Sequence, residues 1–206
     1  MVTKKANTIL RQDVEKKNAA NYKIRIENER SMYRADEYTQ KETLEFSKIP
    51  LAIPDEDLED VMLDIINDVI LEFGVSDDNY LTRADIHACH RRQGQYSKEN
   101  VIIKFVWRGH TQEILSKRTK LKDQDLTKIH HALAGHVYVN EFLCPYYRKL
   151  RYICENMCKD ALIHKTWVSG HKIKVIAMEG GRIKIISHTN DLRVLLPETD
   201  LTKYLK

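Results

Sequence analysis

The chain has 206 residues, 42% of them hydrophobic, with 34 Lys and Arg against 30 Asp and Glu and a formal net charge of +4 at pH 7. That length holds one ordinary domain plus a small one, and that apolar content is enough to build cores, which excludes wholesale disorder. No run approaches the ~18 consecutive apolar residues of a membrane span, and residues 1–10 lack an apolar stretch ahead of a small-residue cleavage site. A soluble protein of the cytoplasm or nucleus is expected, without a membrane span.

Residues 8–40 contain neither Gly nor Pro and are rich in Lys, Glu, Arg, Asn and Gln, which predicts an exposed helix. A 3/4 spacing runs through Leu10, Val14, Lys17, Asn21, Ile24, Asn28, Ser31, Ala35 and Tyr38. It fits either a short, polar coiled coil or a lone helix. Leu44, Phe46 and Ile49 then predict a strand, and residues 50–54 a turn. Asp55 is the expected N-cap of a helix in which Leu58, Val61, Met62, Ile65, Ile66, Val69, Ile70 and Phe73 recur, stopped by Gly74.

Strands are expected at 86–91 and 101–107, joined by a connection containing Gly94; a basic helix follows at 110–121 and a fourth strand at 137–140. The order strand, helix, strand, strand, helix, strand predicts an α+β domain of the ferredoxin-like plan over 41–140, the plan that includes the RNA-recognition motif. Beyond it, Pro145 opens a helix to about residue 157. Three short strands at 162–168, 172–177 and 182–187, divided by Ser169-Gly170 and Gly180-Gly181, precede a last helix at 190–196. The expected domains are thus 1–40, 41–140 and a small α+β unit at 141–206.

Charge is segregated along this layout. Residues 54–80 hold ten acidic side chains and no Lys or Arg, whereas residues 81–206 hold 23 basic against 12 acidic ones and all nine histidines. The acidic side chains fall on the outer face of the first helix of the 41–140 domain, which would repel nucleic acid. The basic remainder points to a polyanion, because attraction to phosphates is the sequence-independent part of nucleic-acid binding.

Catalytic patterns are weak. Strict alternation sends His87 and His90 to opposite faces of a strand, which defeats a shared metal. No nucleophile elbow, phosphate loop or H-E-x-x-H occurs. Cys154 and Cys158, spaced i, i+4 near Cys144, His164 and His171, lack a C-x2-C knuckle, and neither a metal nor any other cofactor is expected.

Binding chemistry is better supplied. Arg91 and Arg92 end the second strand, Lys104 and Arg108 lie on and after the third, and Lys117 and Arg118, with Lys120 and Lys122, follow on the basic helix. Arg91, Arg92 and Arg118 carry the planar donor fork that suits phosphate. The strand Val101–Trp107 lacks the glycine and most aromatics of an RNA-recognition strand, so backbone contacts should outweigh base readout. In the last unit Arg148 and Arg151 share a helix, while Lys165, Trp167, Lys172 and Lys174 stud the hairpins. Alternation of Lys172 and Lys174 with Ile173 and Val175, and of Arg182 and Lys184 with Ile183 and Ile185, predicts a sheet with one basic and one apolar face.

The run from Tyr38 to Pro50, Asp85-Ile-His-Ala-Cys-His-Arg91 and Val101-Ile-Ile-Lys-Phe-Val106 is similar to the RNA-recognition-like domain of LINE retrotransposon first-ORF proteins. Val137-Tyr-Val-Asn-Glu-Phe-Leu143, Tyr147-Arg-Lys-Leu150, Trp167 and Ser169-Gly-His-Lys-Ile173 resemble the C-terminal domain of the baculovirus few-polyhedra (FP) protein family. The resemblance covers roughly residues 38–196. It implies non-catalytic binding of single-stranded RNA or DNA, through Arg91, Arg118, Arg148, Trp167 and Lys172 among others. It also implies a homo-oligomer, trimer or dimer, through the N-terminal helix, and association with viral nucleocapsids or other viral proteins. The rival expectation is a viral structural or protein-interaction protein that affects virion production without touching nucleic acid.

Overall fold

The computed structural model describes residues 2–72, 78, 80–93, 98–122, 124–197 and 199–204. Phe73, the expected helix stop at Gly74, the acidic Asp77, the Gly94 connection and the side chain of Leu10 lie outside that description. The chain is mixed α+β, and no helix among the described residues is long and apolar enough to cross a membrane. It divides into two compact units, one of residues 39–143 and one that joins residues 1–38 to residues 144–206.

In the 39–143 unit, β1 (Thr43–Ser47), β2 (Ile86–Arg91), β3 (Val101–Phe105) and β4 (Tyr138–Glu141) form a sheet of order β2-β3-β1-β4 in which every neighbouring pair is antiparallel. Alternation sends Leu44, Phe46, Val101, Ile103, Phe105 and Val139 to one face. That face packs under helix α2 (Leu58–Asp64, continued by a π-helical turn Ile65–Leu71) and helix α3 (Arg108–Lys117), through Met62, Ile66, Ile70 and Ile114. Each such side chain, fully buried, contributes roughly 1.5–3 kcal/mol.

Several expectations are corrected here. The N-cap of α2 is Asp57, not Asp55, because a turn with an Asp57 N–H to Pro54 C=O bond of 3.2 Å delays the helix. The helix then widens to π geometry and stops at Glu72, which adopts φ 58°. Strand β3 ends at Phe105 rather than Trp107, since Val106 N–H donates to the Asp85 carbonyl and Trp107 becomes the N-cap of α3. The register of β2 on β3 shifts between Ile86 and Ala88, so His87 sits in a bulge and, like His90, is exposed. Strict alternation does not hold across that bulge.

The π turn also positions Asn67, which is fully buried. Its Nδ2 donates to the Leu81 carbonyl at 2.8 Å and its Oδ1 accepts the Leu81 N–H at 2.9 Å. Asn67→Ala strands both buried backbone groups, and a loss of about 2–3 kcal/mol is expected in urea denaturation.

In the other unit, helix α4 (Pro145–Lys159) buries Tyr147, Leu150, Ile153, Cys154 and Met157 against a sheet of order β5-β6-β7 (Lys165–Val168, Ile173–Ile176, Ile183–Ile186), and helix α5 spans Thr189–Leu195. Pro145 takes the first helical position, where its missing N–H costs nothing. The β5–β6 turn has Gly170 at φ 63° and His171 at φ 56°, the two positive values a type I′ hairpin requires.

Helix α1 (Val2–Tyr38) belongs to this same unit, where the sequence had given it a segment of its own. Its packed face is Ile26, Glu29, Arg30, Tyr33 and Glu37. Tyr33 stacks on Tyr146 with centroids 3.5 Å apart and planes 5° from parallel, Arg30 pairs with Asp191, and Glu29 meets His188 Nε2 at 2.9 Å. The 3/4 spacing from Val14 to Tyr38 faces solvent on the opposite side, with Ile24 59% and Tyr38 60% exposed.

Candidate nucleic-acid interface

Alternation gives the other face of the four-stranded sheet Thr43, Glu45, His90, Ile102, Lys104, Tyr138 and Asn140, of which Thr43 and Ile102 are buried. Its centre is no aromatic platform. Glu45 sits there, accepting from Arg92 Nη1 at 2.7 Å and Asn100 Nδ2 at 2.9 Å, so Arg92 is committed to a carboxylate of its own sheet. Lys104 lies half-buried on β3 beside it.

Arg91 is held within its own unit. Following β2 alternation after the bulge, its side chain turns toward the start of α2 and is only 13% exposed. Nε donates to Asp55 at 3.1 Å, Nη1 to the carbonyls of Ile49 and Lys98, and Nη2 to those of Pro50 and Ile53 at 2.8 Å each. A guanidinium has five N–H donors, and five protein acceptors meet them. Arg91 therefore clamps the 49–55 turn and has no donor left for a phosphate.

The acidic block is likewise partly neutralised. Besides Asp55–Arg91, Asp60 pairs with Arg83 at 2.6 Å and Glu72 with Lys120. The Arg83 hydrogen bond lowers the Asp60 carboxyl below its usual range, while burial and the neighbouring carboxylates of Asp68 and Asp60 raise that of Asp64. Charge segregated in sequence is thus knitted together in space, which corrects the expectation of a wholly repelling helix face. On the basic helix Lys117 bonds Glu113 at 2.7 Å, and Arg108 stands at the helix start, beside Trp107. The Trp107 indole lies over Gly109, where an added Cβ would come within 2.2 Å of the ring.

Arg118 is different. It leaves the end of α3 in a 3₁₀ turn (Arg118–Leu121), donates Nη1 to the Val139 carbonyl at 3.2 Å, and so reaches the outer edge of β4. There it lines a cleft of about 460 Å³ together with Thr119, Lys122, His136, Tyr138 and Asn140. Tyr138 is 49% exposed, and Lys48 Nζ lies 5.0 Å from its ring centroid. Arg118, Lys122 and His136 thus share one cleft with Tyr138 and the apolar Leu121, Val137 and Val139, and Lys48 lies over the tyrosine ring. The expectations included Arg118 and Lys122 but missed Lys48, His136 and Tyr138. Tyr138 was readable from the alternation Val137-Tyr138-Val139, which turns the tyrosine outward, and His136 is in phase with it; Lys48 had no local signal, because the pairing of β1 with β4 brings it there.

In the second unit, cross-strand partners share a face. Lys174 pairs with Trp167 on β5 and with Ile185 on β7, and Ile176 pairs with Lys165 and Ile183. The side away from α4 therefore carries Lys165, Trp167 and Lys174 together with Ile183 and Ile185, while Lys184 lies on the face of Val175. The expected division into one basic and one apolar face does not form, because β7 pairs one residue out of phase with the assumed register. Lys165 Nζ is 5.8 Å from the Trp167 ring centroid and Lys174 Nζ donates to Ser169 Oγ at 3.2 Å. Lys172 is exposed at the hairpin turn. Arg148 and Arg151 ride on α4, on the far side of this sheet, where Arg151 Nε bonds Glu155 at 2.7 Å.

Burial pushes the thiols of Cys89 and Cys154 up to about 12 and that of Cys144 up to about 11, so the thiolate form is disfavoured. Compared with protein-family models and with curated proteins, the sequence matches none.

Proposed function

We propose that this chain is a non-enzymatic protein that binds single-stranded RNA or DNA with little sequence preference, of the kind represented by FP proteins and LINE first-ORF proteins. The observation that carries the reading is the β4-edge cleft, where Arg118, Lys122 and His136 share a lining with the half-exposed Tyr138, over whose ring Lys48 Nζ lies. Cations that follow a phosphate backbone beside a ring that stacks a base are the usual elements of single-strand recognition. The β2-β3-β1-β4 order and the antiparallel pairing support a ferredoxin-like plan for the 39–143 unit, with its binding site moved from the sheet centre to its edge. Lys165, Trp167 and Lys174 on the second sheet are a separate group of cations beside an aromatic ring. The solvent-facing spacing on α1 is the stretch through which a dimer or trimer would form, and assembly on a nucleocapsid follows from the same resemblance.

Fluorescence anisotropy with a labelled oligo-dT tests the reading. Affinity is expected to fall steeply with salt and to vary little with base sequence. Arg118→Glu combined with Lys122→Glu should weaken binding about tenfold per charge and flatten the salt dependence, and Tyr138→Ala should weaken it about tenfold more. Binding that is indifferent to salt, or unchanged in the double variant, rejects the assignment of this cleft.

A further inference from the structure

We infer that the outer edge of β7 takes up an extended, acidic protein segment as a fourth strand of the β5-β6-β7 sheet. The inference is independent of the nucleic-acid reading. Among the described strands β7 is terminal, paired only with β6. It offers the residues Ile183, Lys184 and Ile185, all exposed, before Ile186 turns into the core. Exposed aliphatic side chains grouped on one surface mark a docking face, and here two share a face of β7: Ile183 at 56% and Ile185 at 52%.

Register decides what kind of partner fits. Ile183 and Ile185 project from one face of β7, and Lys184 from the other with Arg182 in phase, so an added strand would meet an apolar pair on one side and a basic pair on the other. Strands β5, β6 and β7 contain no Asp or Glu, and between residues 161 and 190 the only acidic residue is Glu179. The complement is a short segment alternating β-branched apolar residues with Asp or Glu. Nucleic acid suits this edge poorly, because isoleucines give bases nothing to stack on. The one aromatic of the sheet, Trp167, lies on β5, two strand spacings or roughly 10 Å away.

The probe is a blocked synthetic peptide of alternating Val and Asp, titrated into the full chain with hydrogen exchange read at residues 182–186. Binding with added protection of those amides is expected. Ile183→Ser with Ile185→Ser, both at exposed positions and without change of charge, should lower peptide affinity at least tenfold while oligo-dT affinity changes less than twofold. Lys184→Glu should favour a Val–Lys peptide over the Val–Asp one. The inference is overturned if the peptide does not bind, or if the double variant binds it equally well. It is also overturned if a Val–Lys peptide binds the unmodified chain as tightly, or if oligo-dT or self-association, rather than the peptide, protects 182–186.

Discussion

Replacing Arg91 with alanine is expected to destabilise the 39–143 unit by about 3–4 kcal/mol, a large part of the ~5–15 kcal/mol that holds a domain of this size folded. The guanidinium closes on four backbone carbonyls, Ile49, Pro50, Ile53 and Lys98, drawn from both sides of the sheet edge. Three of them belong to the Pro-containing 49–55 turn, so truncation leaves acceptors with only partial access to water. The salt bridge to Asp55 is a minor part, since that carboxylate is 81% exposed, and Asp55→Asn should cost less than about 1 kcal/mol. Arg91→Lys, with three donors in place of five, should recover about half of the loss. Urea denaturation with unchanged m-value checks all three. An alanine variant that keeps its stability but loses oligonucleotide affinity would return Arg91 to the binding surface.

Glu37→Ala should produce the second large loss, about 3 kcal/mol, in the unit that joins α1 to the C-terminal residues. Glu37 is 4% exposed at the end of a 37-residue helix. Its Oε2 accepts the Cys144 N–H at 2.9 Å, which caps α4 where the helix dipole favours a carboxylate, and its Oε1 meets His171 Nδ1 at 2.7 Å. One side chain thus ties α1 both to the start of α4 and to the type I′ turn. Truncation strands a buried N–H and removes an ion-pair partner of His171, whereas Glu37→Gln retains an acceptor for Cys144 and an amide donor for His171. The glutamine variant should keep most of the stability. Thermal unfolding followed by circular dichroism, with limited proteolysis of α1, distinguishes the two. Equal stability of all three proteins would show that the buried carboxylate is dispensable.

Much of the fold was written in local patterns. Alternation in Thr43–Ser47 and Val101–Phe105, the 3/4 spacing of the α2 and α4 cores, Pro145 at a helix start and Gly170 at a hairpin turn each follow from near-neighbour sterics. The π widening of α2 was hidden, and so was what it positions, the bonds of Asn67 to the distant backbone of Leu81. So was the phase of β7. Alternation says that Ile183 and Ile185 share a side, and only pairing with β6 says which side that is.

The candidate site divides along the same line. Sequence by itself determined the order of elements, the alternation within each strand, and a surplus of cations after residue 81 facing an acidic helix. It could not rank those cations, because an arginine is available to a ligand only if no protein acceptor reaches it first. Such acceptors arrive from tens of residues away: Ile49, Pro50 and Ile53 for Arg91, Glu45 for Arg92, Glu72 for Lys120. Tertiary structure alone decided that Arg91 is a clamp, that Arg118 opens onto a cleft beside Tyr138, and that Ile183 and Ile185 stand with Lys174 on an exposed face. The physical reason is that helix and strand periodicity act over a few residues, whereas hydrogen-bond satisfaction and strand register are settled between segments far apart in the chain.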